Sequence, residues 1–359
     1  MWDDNNFALK SAYDVVIVGA GPAGAAAAKA LAGAGLDCVI IEKCALKRDK
    51  MCSGIILPSA WKIIDQQYGP IPDHVYTTPR EVRGCRYVRT DDPDGRVMTY
   101  PALDLSETDP DPATGANVER AEFDYWLCEV SGVPMAGNCL FLGYEIDGGT
   151  IWVSLKNNGR HVKISTKYLI GADGPVSRVR RSLAPNFDET VNWISLYEEQ
   201  YEGRIDLESG WMHWILDREC FGSLLNKGSH IHVNIATPDR TATKSIYRRI
   251  MRFLAERHGF VLHKTTLTRG IVMNDMPYRD NVILGDGNVL LVGEAAGFVR
   301  ALDGITSALV TGKAAGEAIL ASAEGGTPHQ HYARHPELLA EREACREAHP
   351  ELGKRGFFG

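Results

Sequence analysis

The stretch DVVIVGAGPAG, from Asp14 to Gly24, sets an unbroken apolar run against a glycine-rich turn. Such a run suits a strand buried on both faces. Ala23 to Ala34 follows almost entirely as alanine, the strongest helix former, and small enough to lie close to a sheet. Gly35 is placed to end that helix. Leu36 to Glu42 then reads as a second strand, closed by an acid about 20 residues beyond the glycines. The order is β-α-β. In this G-x-G-x-x-G, Gly19 is expected to make the tight turn, Gly21 to let the backbone approach a pyrophosphate, and Gly24 to allow helix–strand contact. The helix N-terminus would face the diphosphate charge. Glu42 would accept hydrogen bonds from ribose hydroxyls, with Lys43 beside it as a further cofactor contact. These residues indicate a dinucleotide fold and leave NAD and FAD both open.

The rest of the chain narrows the class. Its 359 residues are 44% hydrophobic and 24% charged, an ordinary globular composition with room for about two domains. Lys and Arg total 39 against 46 Asp and Glu, a net charge of -7, so no basic field is available to attract nucleic acid. The longest weakly polar run, Val15 to Gly35, is broken by Pro22 and Lys29, and no transmembrane segment is expected. The amino terminus, MWDDNNFALKSAYD, carries acids where a secretory leader carries bases, which predicts a cytoplasmic protein. The 8 cysteines are scattered without CxxC or histidines at metal spacing. They read as reduced thiols, with neither disulfides nor a metal site expected. His230 and His232 alternate on a strand-like run but lack a third ligand.

Three further segments carry a pattern. Asn117 to Glu129, NVERAEFDYWLCE, is an amphipathic helix with Arg120, Phe123 and Leu127 on one face. Lys167 to Arg181, KYLIGADGPVSRVRR, sets an apolar strand against GADG and then opens a helix. Gly287 to Ile319 repeats the scheme of buried strand, small-residue turn and small-residue helix. Taken together, GAGPAG with Glu42, R-x-x-F-D from Arg120 to Asp124, GADG-x-x-S-x-x-R from Gly171 to Arg180, and VGEAAG resemble the geranylgeranyl reductase and aromatic-hydroxylase superfamily of FAD proteins. The resemblance covers about residues 13–320. Lys50 to Ala60, KMCSGIILPSA, is similar to the Cys-Gly-Gly segment of the reductase branch.

The resemblance implies FAD as cofactor. By it, Gly19, Gly21, Gly24 and Glu42 hold the ADP half, Arg120 lies near the diphosphate or flavin, and Asp173 and Gly174 form the DG motif. Glu294 stands where the family normally has Asp. Gly304, Ile305 and Ser307 would lie by the flavin pyrimidine edge, at a helix start that stabilises negative charge. The chain departs from the family at several points. Ser53 replaces a glycine, VRALDGITSA is shorter than the flavin-covering loop and lacks its proline, and Leu216, Asp217 and Arg218 stand where the reductases carry Phe, Pro and Lys.

Residues 192–202 and 229–236 alternate apolar and polar residues and read as antiparallel strands, with further strand-like runs in 82–103 and 139–169. The expected fold is α/β: a Rossmann-like FAD-binding domain with an inserted antiparallel-sheet substrate domain. FAD-binding parts are expected at 1–80, 106–185 and 276–330, substrate sheet at 81–105 and 186–275, and a C-terminal helical tail, a frayed surface helix, at 331–359. A loop rich in Asp, Pro and Thr lies at 104–116. Cys52 is the sharpest catalytic candidate, as a thiol able to serve as acid or orienter, beside the plainer role of a small buried hydrophobe. His213 and Trp214, with Trp211, are candidate pocket residues, His213 as a proton source near neutral pH. Arg178, Arg180 and Arg181 are either a solvated helix start or a phosphate contact.

Three functions compete. One is reduction of a carbon–carbon double bond in an apolar, isoprenoid-like substrate, with Cys52 as acid. Another is flavin monooxygenation of an aromatic group, on a small molecule or on a protein side chain such as a Trp in maturation of a quinone-cofactor protein. The last is a non-catalytic FAD electron-transfer partner. No second dinucleotide motif is visible, so the external electron donor is NAD(P)H bound transiently or a redox protein.

Overall fold

In a computed structural model of the chain, which describes residues 7–99, 115–228, 230–274, 276, 280–300 and 303–347, the opening apolar run forms the strand Ala12–Val18. It pairs in parallel with Cys38–Ile41 on one side and Arg160–Gly171 on the other. Met135–Ala136 and Val289–Leu291 extend this parallel layer at its two ends. Val15, Val16 and Ile17 are fully buried, as strands covered on both faces must be. Val18 is in register with Ile41 and Gly171, and Gly171 with Leu291. The chain therefore leaves four neighbouring strands at one edge, delivering Gly19, Glu42, Ala172 and Val292 together. Ligands of open α/β sheets sit at this carboxyl edge.

The alanine-rich helix, Pro22–Leu31, is shorter than the composition predicts. It ends at Leu31 because Gly33 and Gly35 both take positive φ, +77° and +76°. The helix packs against Gly304–Ala321 through small residues: a Cβ on Gly312 would overlap the Ala23 carbonyl, and one on Gly316 would come 2.6 Å from Ala30 Cβ. The runs within 139–169 join this layer, not the substrate sheet. Cys139–Asp147, Thr150–Asn157 and Arg160–Gly171 form an antiparallel meander, since short turns at Gly148–Gly149 and Asn158–Gly159 bring each strand straight back onto its neighbour.

The second sheet has seven antiparallel and parallel strands drawn from two stretches of chain, Cys85–Thr99 and Trp193–Asn274. Trp193–Arg204 and Ile231–Thr237 pair directly and antiparallel. One face of this sheet carries Tyr201, Ile215, Leu224, Val233 and Ile235 against the helix Thr243–His258. The other face turns towards the cofactor layer, with Met212, Trp214 and Leu225 packed on Ile55. We call it the roof. A small sheet of Ile55–Ile56, Tyr76–Glu81 and Ala116–Val118 lies between roof and cofactor layer.

The C-terminal segment differs from the frayed surface helix expected of it. Pro328–Ala333 and Pro336–Glu347 pack on Gly304–Ala321, burying Tyr332, Leu338, Glu341 and Cys345. Glu341 explains the difference: it accepts from Arg300 through both oxygens, at 3.0 and 2.6 Å, and from Ser307 Oγ at 2.6 Å. The Phe357–Phe358 tip, and most of the loop at 104–116, lie outside the described residues.

Candidate active site

The glycine turn at the carboxyl edge is fixed by backbone contacts. Gly19 has φ +114°, a conformation that L side chains rarely adopt, and a Cβ there would overlap Ala172 O. The two glycine motifs, GAGPAG and GADG, thus close on one another. A Cβ on Gly24 would overlap Gly19 O, so helix and turn are in direct backbone contact. Gly21 is different. Nothing comes nearer to its ideal Cβ than Arg48 Nη2, at 3.6 Å. The turn is open there towards a guanidinium, as the approach of a diphosphate requires.

Arg48 was not singled out by the sequence, where it is one of several cations between Lys43 and Lys50. It binds Glu42 Oε2 at 3.1 Å and Asp124 Oδ2 at 3.2 Å. Glu42, buried, also accepts from the backbone N–H of Ala20 and of Cys44, both at 3.1 Å. Asp124 in turn holds Arg120 Nε at 3.0 Å and Nη2 at 2.8 Å. Alternating charges therefore run Glu42, Arg48, Asp124, Arg120 along the floor, and each buried charge is paired. Lys43 is exposed beyond this row and takes no part in it.

Asp173 uses its carboxylate locally. It accepts from Ser177 Oγ at 2.5 Å and from the N–H groups of Arg178 and Val179 at 2.6 and 3.3 Å, capping the helix Arg178–Leu183. Burial raises its pKa, and those same donors act against the rise. What Asp173 and Gly174 present to the cradle is backbone, and Gly174 has no neighbour within 4 Å of its Cβ position. Arg180 is no phosphate contact. It is fully buried and points inward to Ala295 O and Pro175 O, at 2.7 and 2.6 Å. Glu294 is half-buried beside Lys50; burial raises its carboxyl pKa while Lys50 and Arg180 oppose the shift.

Gly304 begins the helix Gly304–Ala321, capped by Asp303, whose Oδ1 accepts from Thr306 N at 3.1 Å. Ile305 is buried in that first turn. The Ser307 hydroxyl does not face the cradle, because it donates to Glu341 and accepts from Arg300 N at 3.1 Å. With the Thr306 N–H spent on the cap, what this turn has left for a ligand is the backbone of Gly304 and Ile305.

Cys52 is half-buried where the floor meets the roof. Its sulfur accepts from Gly54 N–H at 3.4 Å, and the Arg120 guanidinium lies close enough to interact with it electrostatically. Trp214 stands on the roof face, against Phe221 at 4.8 Å between ring centroids. His213 does not accompany it. Strand alternation puts His213 on the opposite face with Arg86 and His258, so it is not brought into the pocket with Trp214. Burial pulls its pKa from 6.5 down to about 4, with Arg86 and His258 adding to the shift. A folded value below the unfolded one favours the neutral ring. Its contribution is intact above pH 6.5 and lost as the pH falls towards 4, by about 3 kcal/mol in full. Urea unfolding across that window is expected to show stability falling with acid, and His213→Gln to flatten the slope; an unchanged slope would place the titration elsewhere.

Apart from His232, weighed above only as a metal ligand, the residues of a polar strip on the roof were not singled out by the sequence. Glu198 and His232, both buried, approach to 2.9 Å from neighbouring strands, and Asn234 Nδ2 donates to Ser223 Oγ at 2.8 Å beside them. Lys227, 4% exposed, donates to Val118 O at 3.3 Å.

The cradle fits a dinucleotide on structural grounds: a backbone turn closed by contact at Gly19 and Gly24, open only at Gly21, with Arg48 over the opening and a carboxylate at the second strand. Comparison with known proteins agrees. Residues 12–67 and 142–304 match the family described as FAD binding domain. The chain is similar to a geranylgeranyl diphosphate reductase of Rhodobacter capsulatus, 27% identical over 345 residues, which covers 88% of this chain and 77% of that protein. Among solved structures it resembles a geranylgeranyl bacteriochlorophyll reductase-like protein of Thermoplasma acidophilum, with a TM-score of 0.70 at 19% identity, over 96% of this chain and 90% of that one. Aklavinone-11 hydroxylase, solved with FAD and aklavinone, gives a TM-score of 0.64 at 17% identity, over 87% of this chain and 63% of that one.

Proposed function

Since the chain belongs to the FAD binding domain family and is an FAD-dependent oxidoreductase, we propose that it reduces a carbon–carbon double bond in an apolar, isoprenoid-like substrate. The observation that carries this reading is Cys52, fixed by the Gly54 N–H and close to the Arg120 guanidinium, at the seam below the apolar roof residues Trp214, Leu225 and Met212. The relative from R. capsulatus is named as a reductase of such a substrate and supports it.

Gly21 and Arg48 would receive the diphosphate, Glu42 the ribose, and the first turn of Gly304–Ala321 the edge of the flavin ring. Bound FAD supplies the two electrons as hydride when reduced. The protein's own part is to exclude water, orient the olefin and provide a proton. Met212, Trp214 and Leu225, packed on Ile55, back that side of the site and keep water from it. Cys52 Sγ, kept in place by Gly54 N–H, would provide that proton. The test is anaerobic: enzyme reduced on its flavin and mixed with a prenyl olefin is expected to reoxidise and yield the saturated product. Flavin that stays reduced against every olefin tried overturns the reading.

A second reading, oxygenation of an aromatic ring, is favoured by the polar strip of Glu198, Asn234 and Ser223, which a purely hydrocarbon substrate leaves unused. Turnover that consumes oxygen and incorporates it into product would select it.

A further inference from the structure

We propose that Lys227 resupplies the proton of Cys52, drawing it from solvent by way of Glu119. The catalytic consequence rests on the reductase reading; the coupling of Lys227 to Cys52 rests on geometry. An ammonium has three donors, and Lys227 uses one on Val118 O at 3.3 Å. On its outer side, Glu119 Oε1 lies 4.0 Å away, with a side chain 47% exposed. On its inner side is Gly54: a Cβ there would come 3.0 Å from Lys227 Nζ, and the Gly54 N–H bonds Cys52 Sγ at 3.4 Å. Lys227 and Cys52 therefore flank the same Gly54 turn, with Glu119 leading from Lys227 out to water.

Other charged groups face the same spot. Arg120, on the floor helix, lies near Cys52 but is committed to Asp124 and keeps its proton. From the roof, Glu198 and His230 face Lys227, with His232 held against Glu198. Burial lowers the Lys227 pKa, opposed by Glu119, Cys52 and Glu198 and assisted by Arg120, so its proton is easier to give up than that of a surface lysine.

The step balances. When the Cys52 S–H bond breaks, its proton forms the new C–H bond of the product, and the hydride on the other carbon comes from reduced FAD. The thiolate then recovers a proton from the Lys227 ammonium by way of a bridging water, restoring S–H and leaving a neutral amine. Glu119 passes a proton from water to that amine. Lys227 acts through Cys52 and is a positioning residue, not a catalytic one.

The experiment compares Lys227→Met, Lys227→Arg and Glu119→Gln in the FAD-loaded protein, each checked for wild-type melting and flavin content. The first readout needs no turnover: iodoacetamide labelling of Cys52, followed by peptide mass spectrometry. Removing the charge in Lys227→Met is expected to slow labelling about 5-fold or more, whereas Lys227→Arg keeps it within about twofold. The second readout sets one turnover against many, using reduced enzyme and geranylgeraniol. Arginine keeps the charge but cannot release a proton. Lys227→Arg should complete a first turnover at the wild-type rate and then fall about tenfold or more in steady state. Glu119→Gln should slow steady state about threefold with labelling unchanged. Identical Cys52 labelling in Lys227→Met overturns the coupling, wild-type steady state in Lys227→Arg overturns the proton transfer, and an unaffected Glu119→Gln overturns the entry route. Wild-type enzyme that no olefin reoxidises defeats the reductase reading instead, and labelling still decides the coupling.

Discussion

Arg180→Met is expected to destabilise the protein by about 3–5 kcal/mol, the usual cost of removing one member from a buried charged network. Arg180 is fully buried and spends its guanidinium in three directions: Nε on Asp188 at 2.8 Å, Nη1 on Ala295 O at 2.7 Å and Nη2 on Pro175 O at 2.6 Å. Ala295 belongs to the VGEAAG element and Pro175 to the turn after GADG, so one side chain fastens two motifs more than a hundred residues apart. Methionine fills much of the volume but leaves two carbonyls without donors and Asp188 short of a charge. Arg181, on the other Asp188 oxygen at 2.8 Å, offsets only that last loss. Against a typical total of about 5–15 kcal/mol, the loss should show in urea unfolding, and FAD content should fall with it. Lysine restores the charge but not the planar fork, so Arg180→Lys should recover less than half of the loss. A midpoint within about 1 kcal/mol of wild type in Arg180→Met would show that the tie is not structural.

The cofactor side of the site was legible because its signals are local. Strand, glycine turn, alanine helix, second strand and Glu42 lie within thirty residues, and each constrains its neighbour. GADG and VGEAAG announce themselves in the same way. The substrate side was not legible, since its meaning depends on which strands meet. Glu198 and His232 touch only because Trp193–Arg204 and Ile231–Thr237 pair in one particular register. Part of the signal was present: Ile231, Val233 and Ile235 are apolar, so His232 and Asn234 had to face the other way. The same alternation separates His213 from Trp214. Ser307 and Arg180 were misleading for another reason. Each has the residue type of a ligand contact, but Ser307 is claimed by Glu341, 34 residues on, and Arg180 by the Ala295 carbonyl, 115 residues on. No local pattern reports a partner that far along the chain.

Gly21→Ala and Gly24→Ala, two single methyl groups three residues apart, are expected to fail in opposite ways. At Gly24 the methyl would overlap the Gly19 carbonyl, a backbone atom at the fixed end of a buried strand. The helix Pro22–Leu31 would have to lift, and it cannot do so freely because Gly312 and Gly316 of the facing helix already touch it. Overpacking of this rigid kind costs about 3 kcal/mol or more, and Gly24→Ala should lose stability and FAD together. At Gly21 the backbone is ordinary, with φ -94°, and the nearest atom to a new methyl is the far end of the Arg48 side chain at 3.6 Å. Gly21→Ala should therefore melt within about 0.5 kcal/mol of wild type. The methyl would nevertheless stand in the space through which the diphosphate approaches, and FAD affinity should drop about 10–100-fold. Flavin titration by fluorescence quenching, run beside urea unfolding, separates the two effects. Wild-type FAD affinity in a folded Gly21→Ala protein would mean that the diphosphate does not pass over this turn, and the assignment of Arg48 as its partner would fall with it.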